Sequence, residues 1–543
     1  MDDSHIADVY KVNIMNRIFI LLFCVVFFCS FQEPKVEKYT IIPYPQQVVY
    51  ATGSYKLCNT PIVCYTKGLK NEASMLQSFL KEDYSIQSVV CRTSKKGNIF
   101  LIMDPTILPD KKEGYKLIVD KNRIEIRANS ANGISNGVQT LRQIIREDQG
   151  EYIIQQATIN DYPSFSWRAF MLDEGRYFKG KKVVLRLLDE MARLKMNVFH
   201  WHLTDDQGWR IEIKKYPKLT EIGAYRDSSE IDHWYSNVFD GKPHSGYYTQ
   251  KDIKEIVDYA AKRHITIVPE IEMPGHSSAA IASYSWLGTI GKPIKVLCRF
   301  GTESDVYNVA DPRVIQFLKD VLDETISLFP SKIIHIGGDE VRYDMWRSSP
   351  SIMQYISSNK LNSAAELQVY FTRMIANYIA SKNCRMMGWS DITGDQLDSV
   401  DLKANVNINQ KLPMTTIVQF WKGDLKLIKL AIDKGYDIVN SYSQGTYLDY
   451  GFPLSKAYSF DPIPEGLSEK EKAKILGLGC QMWGEMIPTE ESMDKKVFPR
   501  IAAYAEIGWT SNEKKNYDRF VQCLQPWLTR WKNIGIIYGK VDN

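Results

Sequence analysis

Two adjacent carboxylates, Asp339 and Glu340, end the segment His335-Ile-Gly-Gly-Asp-Glu340, directly after the apolar residues Ile333 and Ile334. A short apolar run of this kind is a buried strand, and Gly337-Gly338 frees the backbone to turn at its end. Adjacent side chains on a regular strand point to opposite faces, but beyond two glycines that alternation relaxes. Both carboxyls can then reach one ligand from the same side. Similar clusters recur along the chain: Asp173-Glu174-Gly175-Arg176, Thr204-Asp205-Asp206, Glu270 to His276, Gly388-Trp389, Gln419-Phe420-Trp421, Tyr447-Leu448-Asp449 and Trp483-Gly484-Glu485. One of them could be a helix cap, with Asp205 or Asp339 accepting N–H bonds. A whole series, each closing an apolar run, is the pattern of a site. Carboxylates with one arginine, one histidine and indole walls suit glycoside hydrolysis, in which an acid protonates the leaving oxygen and negative charge supports an oxocarbenium-like centre.

Neighbours in sequence would struggle to stand on opposite faces of a sugar as acid and nucleophile. That favours a nucleophile belonging to the substrate, although Glu272 or Glu485 could supply one. His200 and His202 lie two apart on one run and can share a face, but no third ligand accompanies them, so no metal is expected. GxSxG, P-loop, GxGxxG and HExxH patterns are absent, which argues against serine hydrolase, nucleotide and zinc-protease chemistry and gives no cofactor. The net charge is only +4 over 543 residues with no long basic run, so nucleic acid is not an expected partner. The 12 Trp and 31 Tyr fit both a packed core and sugar-stacking surfaces.

The elements that would position these residues fall into two units. Residues 37–160 read as a small α/β (α+β) domain: 115–120 and 123–127 alternate as two adjoining strands, and Ile134, Val138, Leu141 and Ile145 recur at helical spacing. Asp161-Tyr162-Pro163-Ser164 reads as the linker. From 165 to 543 strands and helices alternate, with strands expected at 169–173, 197–203, 265–271, 332–337, 385–389, 416–421, 436–441 and 478–483. The stripe Leu367, Tyr370, Phe371, Met374, Ile375, Tyr378 and Ile379 is a helix face packed on a core. Eight strands with intervening helices predict a (β/α)₈ TIM barrel, whose site lies at the C-terminal ends of the strands, where the polar clusters fall.

Residues 18–29 are wholly apolar and follow Arg17, too short for a bilayer-spanning helix and suited to a signal segment covering residues 1–31. The acidic residues Asp2, Asp3 and Asp8 suit no signal n-region, so Met15 is the expected start. Export is therefore expected, to a periplasm, to a surface or beyond the cell, with no span in the mature chain. Cys29 as a lipid-bearing residue is disfavoured by the bulky Phe28 before it. Of the nine cysteines Cys24 and Cys29 lie in the leader; Cys58 and Cys64 could pair, but the remaining seven show neither CxxC nor metal-ligand spacing.

The segments His200-Trp-His-Leu-Thr-Asp-Asp-Gln-Gly-Trp209, Pro269-Glu-Ile-Glu-Met-Pro-Gly-His276 and His335-Ile-Gly-Gly-Asp-Glu340 closely resemble glycoside hydrolase family 20, the β-N-acetylhexosaminidases. Met171-Leu-Asp-Glu-Gly-Arg-Tyr177, Trp483-Gly-Glu485, Pro499-Arg500 and Ala505-Glu506 add to the resemblance, and Gly114-Tyr115-Lys116-Leu117 and Gln139-Thr140-Leu141 resemble that family's accessory domain. The resemblance implies a retaining exo-hydrolase of terminal β-linked N-acetylhexosamine in glycans, acting through an oxazolinium intermediate. It makes Glu340 the general acid/base and Asp339 the residue that orients the substrate's acetamido nitrogen. Trp389, Trp421 and Trp483 would wall the acetamido group, with Tyr447 donating to its oxygen. Arg176 would hold O3 and O4, Asp449 and Glu485 other hydroxyls, and Asp205 with His276 would support the catalytic centre. Two departures stand out. Glu272 replaces a common Asp, and Ser390-Asp391 replaces a common Asp-Glu after Trp389. The rival readings are a sugar-binding protein without activity and a disaccharide-releasing relative.

Overall fold

The computed structural model describes residues 38–92, 96–395 and 411–542 of the chain. The expected signal segment, residues 1–31, lies outside them. The N-terminal unit is a mixed sheet in the order Gln47–Lys56, Glu151–Asp161, Tyr115–Val119, Ile124–Ala128, Ile99–Met103, Ile62–Tyr65 and Val89–Arg92, with Arg146–Asp148 paired to Glu151–Asp161. Tyr115–Val119 and Ile124–Ala128 pair antiparallel, as their alternation predicts. The helices Lys70–Tyr84 and Ala131–Ile144 pack on this sheet through Leu76, Leu80, Ile134, Val138 and Leu141. Ser130 caps the second helix by accepting from the Gly133 N–H.

Eight parallel strands then close into a barrel: β1 Trp167–Asp173, β2 Val198–His202, β3 Thr266–Glu270, β4 Ile333–His335, β5 Arg385–Trp389, β6 Ile417–Phe420, β7 Asp437–Asn440 and β8 Ile475–Met482. Each expected strand is present, several of them shorter than the apolar pattern suggested. The expected stripe at 367–379 lies on the helix Ala364–Ser381, capped by Ser363. Outward residues such as Phe199 and Trp201 join the large core between barrel and helices, whereas the inward Trp167, Ala169, Val198, Val268, Met387, Ile417 and Val439 fill the barrel's lower interior. One pleat further along, the inward positions turn polar: His200, Glu270, His335, Gln419 and Gln481 are all buried. An apolar plug under a polar layer is therefore written into the period of two along each strand. None of the described helices is long and apolar enough to cross a membrane.

Asp161, expected in a linker, instead ends the strand Glu151–Asp161 and is fully buried. Its carboxylate accepts from the Gln46 N–H at 3.0 Å, the Tyr115 hydroxyl at 2.6 Å and the Trp509 indole at 2.8 Å, and pairs with Lys195 Nζ at 3.0 Å. The polarity that suggested a loop belongs to a satisfied ionic node between the two units. Arg168 of β1 adds to it by reaching Glu113 and the carbonyl of Phe165. Burial lowers the Lys195 pKa despite Asp161, so the pair stands only with both members in place. Lys195→Met should cost about 3–5 kcal/mol, the usual result of stranding one buried charge. Denaturant unfolding of the two chains measures it, and a loss under about 1 kcal/mol would mean that the three other donors suffice for Asp161.

Candidate active site

The strand register builds the polar layer. His202 of β2 stands opposite Asp173 of β1 and Glu270 of β3, and Glu270 stands opposite His335 of β4. Glu270 is the hub: one oxygen lies 2.5 Å from His202 Nδ1 and 2.9 Å from His200 Nε2, the other 2.9 Å from His335 Nδ1 and 2.8 Å from the Trp389 indole N–H. Burial alone would raise its pKa, but His335, His202 and His200 outweigh that and hold the carboxyl well below its usual range. His200 is driven the other way, down to about 4, because burial outweighs the attraction of Glu270. For His202 burial also opposes the charge, yet Glu270 on one nitrogen and Asp205 at 3.0 Å on the other carry the pKa up to about 10. His202 is thus an imidazolium bridging two carboxylates. The structure supplies partners near His200 that the sequence could not reveal: His200, Glu270 and His335 form a fully buried group with metal-compatible spacing. Glu270 lies within reach of both imidazoles and accepts from the Trp389 indole.

Asp205 carries the network outward. It pairs with Arg176 Nη2 at 3.0 Å and with His276 Nδ1 at 3.2 Å. Burial opposes its charge, but Arg176, His276 and His202 hold the carboxyl far below its ordinary value. His276, raised well above its ordinary pKa chiefly by Asp205 against the cost of burial, directs Nε2 at both Asp339 and Glu340, 3.8 Å from each. Both carboxyls therefore bend toward one imidazole. The backbone shows how: Gly337, Gly338 and Glu340 have φ of 63°, 87° and 49°. Gly337 is required twice, by this left-handed turn and because a Cβ there would overlap the Glu272 carboxyl. Asp339 is nearly buried and Glu340 about one-third exposed, so the first faces the interior and the second the mouth.

The remaining expected residues gather on the same face. Trp389 and Trp421 have ring centroids 6.4 Å apart, Trp389 and Trp483 5.7 Å, and Tyr447 lies 6.3 Å from Trp421 and 5.9 Å from Trp483. These four rings form one aromatic cluster beside the catalytic pair's strand ends. The Trp421 indole donates to Asp391 at 2.9 Å, which makes Asp391 the strut that orients that ring. Arg176 lies against Trp483, 5.0 Å from the ring centre, and 3.9 Å from Glu485, while Asp173 holds it at 3.2 Å. Asp449 stands near Glu485: burial, then Glu485, push its pKa up to about 7. All eleven expected residues, Arg176, Asp205, His276, Asp339, Glu340, Trp389, Trp421, Tyr447, Asp449, Trp483 and Glu485, belong to this one constellation. Sequence reading did not find the Glu270 hub or the role of Asp391, because both depend on which strands lie side by side. Glu272, left open by the sequence as a possible nucleophile, is buried with no hydrogen bond to either oxygen, and burial with Asp339 and Glu270 nearby raises its pKa well above the carboxylate range.

Comparison with known proteins follows the same division of the chain. The family model of the glycosyl hydrolase family 20 catalytic domain matches residues 165–512, and that of the family's domain 2 matches residues 38–162. A beta-hexosaminidase of Porphyromonas gingivalis is 34% identical over 93% of this chain, which spans 65% of that relative's length. A beta-hexosaminidase of Vibrio furnissii is also 34% identical, over 86% of this chain and 76% of its own. Among solved structures, the beta-N-acetylhexosaminidase from Bacteroides fragilis superimposes with a TM-score of 0.79 at 31% identity, covering 92% of this chain and 97% of that one. The Vibrio harveyi exo beta-N-acetylglucosaminidase in complex with N-acetylglucosamine gives 0.80 at 29% identity, covering 94% and 80%.

Burial pushes the Asp339 pKa up to about 7, with Asp391 and Glu340 adding to the rise and His276 opposing it. Carboxyl NMR of the free protein should show Asp339 ionising near neutrality. Asp391→Asn should move that midpoint downward, since a neighbouring negative charge is gone. A wild-type midpoint near 4 would place Asp339 in a far wetter setting than the one described.

Proposed function

The chain belongs to glycosyl hydrolase family 20, and on that premise we propose that it is a retaining exo-β-N-acetylhexosaminidase that removes terminal, non-reducing β-linked GlcNAc or GalNAc from glycans by substrate-assisted catalysis. The observation that carries this reading is the meeting of Asp339 and Glu340 on one imidazole, His276, together with the cluster of Trp389, Trp421, Trp483 and Tyr447 on the same face. Two carboxylates so placed share one face of a ligand, so the attacking group must come from elsewhere. The 2-acetamido oxygen of the sugar fills that part. Attack by a group already tethered to the reactant is worth about 7–11 kcal/mol in effective concentration. Trp389, Trp421 and Trp483 hold the acetamido group against the anomeric carbon and Tyr447 donates to its oxygen. Asp339, which has a buried oxygen free of protein hydrogen bonds, accepts from the acetamido N–H and faces the positive charge of the oxazolinium. Glu340, at the mouth, protonates the leaving oxygen and then activates the water that opens the ring, a contribution of about 10²–10⁴-fold. Two inversions at the anomeric carbon give net retention.

Arg176 is the ceiling on substrate size in this reading. Held by Asp173, Asp205 and Gln207, it is placed to grip O3 and O4 of the terminal sugar, which favours release of one sugar over two. The intact catalytic pair argues against a binding protein without activity. The same reading has the enzyme exported, on the strength of the apolar segment 18–29.

The test of the function is a pair of aryl glycosides, the β-N-acetylglucosaminide and the β-glucoside. Turnover of the first with at least a hundredfold lower kcat/KM on the second is expected; equal rates would exclude acetamido participation, and no turnover of either would leave a binding protein. The roles within the pair separate by leaving group. Glu340→Gln should lose about 10²–10⁴-fold on a disaccharide but much less on an activated aryl glycoside, which departs with little protonic help. Asp339→Asn should slow both, because the oxazolinium needs its counter-charge whatever leaves. Identical leaving-group dependence in the two variants would reverse these assignments.

A further inference from the structure

Cys64 and Cys91 lie opposite each other in the parallel pairing of Ile62–Tyr65 with Val89–Arg92, and their sulfurs are 3.2 Å apart. The sequence suggested Cys58 as the neighbour of Cys64, but Cys58 is exposed whereas Cys64 is buried. We propose that Cys64 and Cys91 form a disulfide that staples the edge of the accessory sheet when the protein meets an oxidising environment.

Adjacent strands run about 4.8 Å apart, which lies within the roughly 4.4–6.8 Å between Cα atoms that a disulfide spans. The sulfurs need to approach by about 1 Å to reach the bond length of about 2.0 Å, a movement that small side-chain rotations supply. Among the described residues, Val89–Arg92 is the last strand of the sheet and its ladder partner is Ile62–Tyr65. Such an edge is the part of a sheet most prone to fraying and to pairing with other chains. The bond would sit at the middle of that pairing. Cys91 is partly exposed, which gives an oxidant access to one of the two thiols. A disulfide reagent, whether a protein thiol oxidase or oxidised glutathione, balances the step. The Cys91 thiolate attacks it and releases one reagent thiol. The Cys64 sulfur then attacks the mixed disulfide and releases the second, so that two hydrogens and two electrons leave the protein. The seven described cysteines include no other pair drawn together in register, which makes the closure specific.

The test uses the full chain, treated with oxidised glutathione, denatured without reductant, alkylated and digested with trypsin. Cleavage at lysine and arginine leaves peptide 57–67, which carries both Cys58 and Cys64, and peptide 82–92, which carries Cys91. The expected product is a stoichiometric link between these peptides, two hydrogens lighter than their sum and lost on reduction. Cys58→Ser should retain the link and Cys91→Ser should abolish it. Full alkylation of Cys91 after oxidation would overturn the proposal, as would a link that disappears in Cys58→Ser. Because Cys91 is partly exposed and Cys58 exposed, both variants test the assignment without disturbing the buried Cys64.

Discussion

The buried carboxylate of Glu270 is the interaction on which the barrel's upper half depends. A charge of this kind costs several kcal/mol to remove from water and stays charged only if its lone pairs are answered. Here the answers come from four side chains on three other strands: His200 and His202 of β2, His335 of β4 and Trp389 of β5. The register places each one within reach, and each becomes a liability if Glu270 is taken away. The polar layer is therefore all or nothing, which is how a hydrogen-bond network confers a unique arrangement on elements that hydrophobic packing alone would let slide. A slip of one residue in any of these strands would turn its polar side chain outward and its apolar neighbour in.

From that hub the charges alternate outward: Glu270 negative, His202 positive, Asp205 negative, His276 positive, then the Asp339 and Glu340 pair. Each link is stabilised by its neighbours on both sides, so the geometry at the mouth is inherited from the barrel interior. Arg176 joins this line at Asp205, which couples the placement of the residue proposed to grip the sugar to the same series. One consequence is that second neighbours of the catalytic pair are not interchangeable with residues of equal polarity. Glu272 illustrates it. With neither oxygen hydrogen-bonded, burial and then the neighbouring Asp339 and Glu270 raise its pKa well above the carboxylate range, although His202 stands 4.0 Å away.

What the sequence made legible was whatever depends on local pattern. The eight strands were readable because inward and outward residues alternate over apolar runs, and the catalytic pair because Gly337-Gly338 announces a turn where two carboxylates follow. Pairings between strands were not readable. Nothing local says that His335 faces Glu270, or that Asp391 steadies Trp421. Polarity also misled at Asp161, where a charged residue beside Pro163 looked like a linker but meets Lys195, Tyr115 and Trp509 from three distant stretches. Spacing along the chain pointed from Cys64 to Cys58, whereas the sulfur found 3.2 Å away belongs to Cys91, 27 residues on. In each case the deciding partner lies far along the chain, so no window of sequence contains both halves of the interaction.

The burial that shapes the pocket also works against the residue at its centre. Enclosure by indole and tyrosine rings excludes water, which strengthens any charge placed inside, but the same enclosure raises the Asp339 pKa to about 7 in the free protein. A neutral Asp339 would be useless against an oxazolinium. In the proposed reaction the substrate resolves the conflict. An acetamido N–H brought to the unanswered oxygen of Asp339 favours its anion, and the positive charge that develops on the sugar favours it further. Binding is then linked to loss of a proton, and the carboxylate is most strongly stabilised when the cation forms. A site held permanently anionic by a nearby lysine or arginine would carry its counter-charge already, and would gain less from the transition state than from the ground state. The partial opposition of His276, held at 3.8 Å instead of in a close ion pair, keeps Asp339 available for the charge that matters.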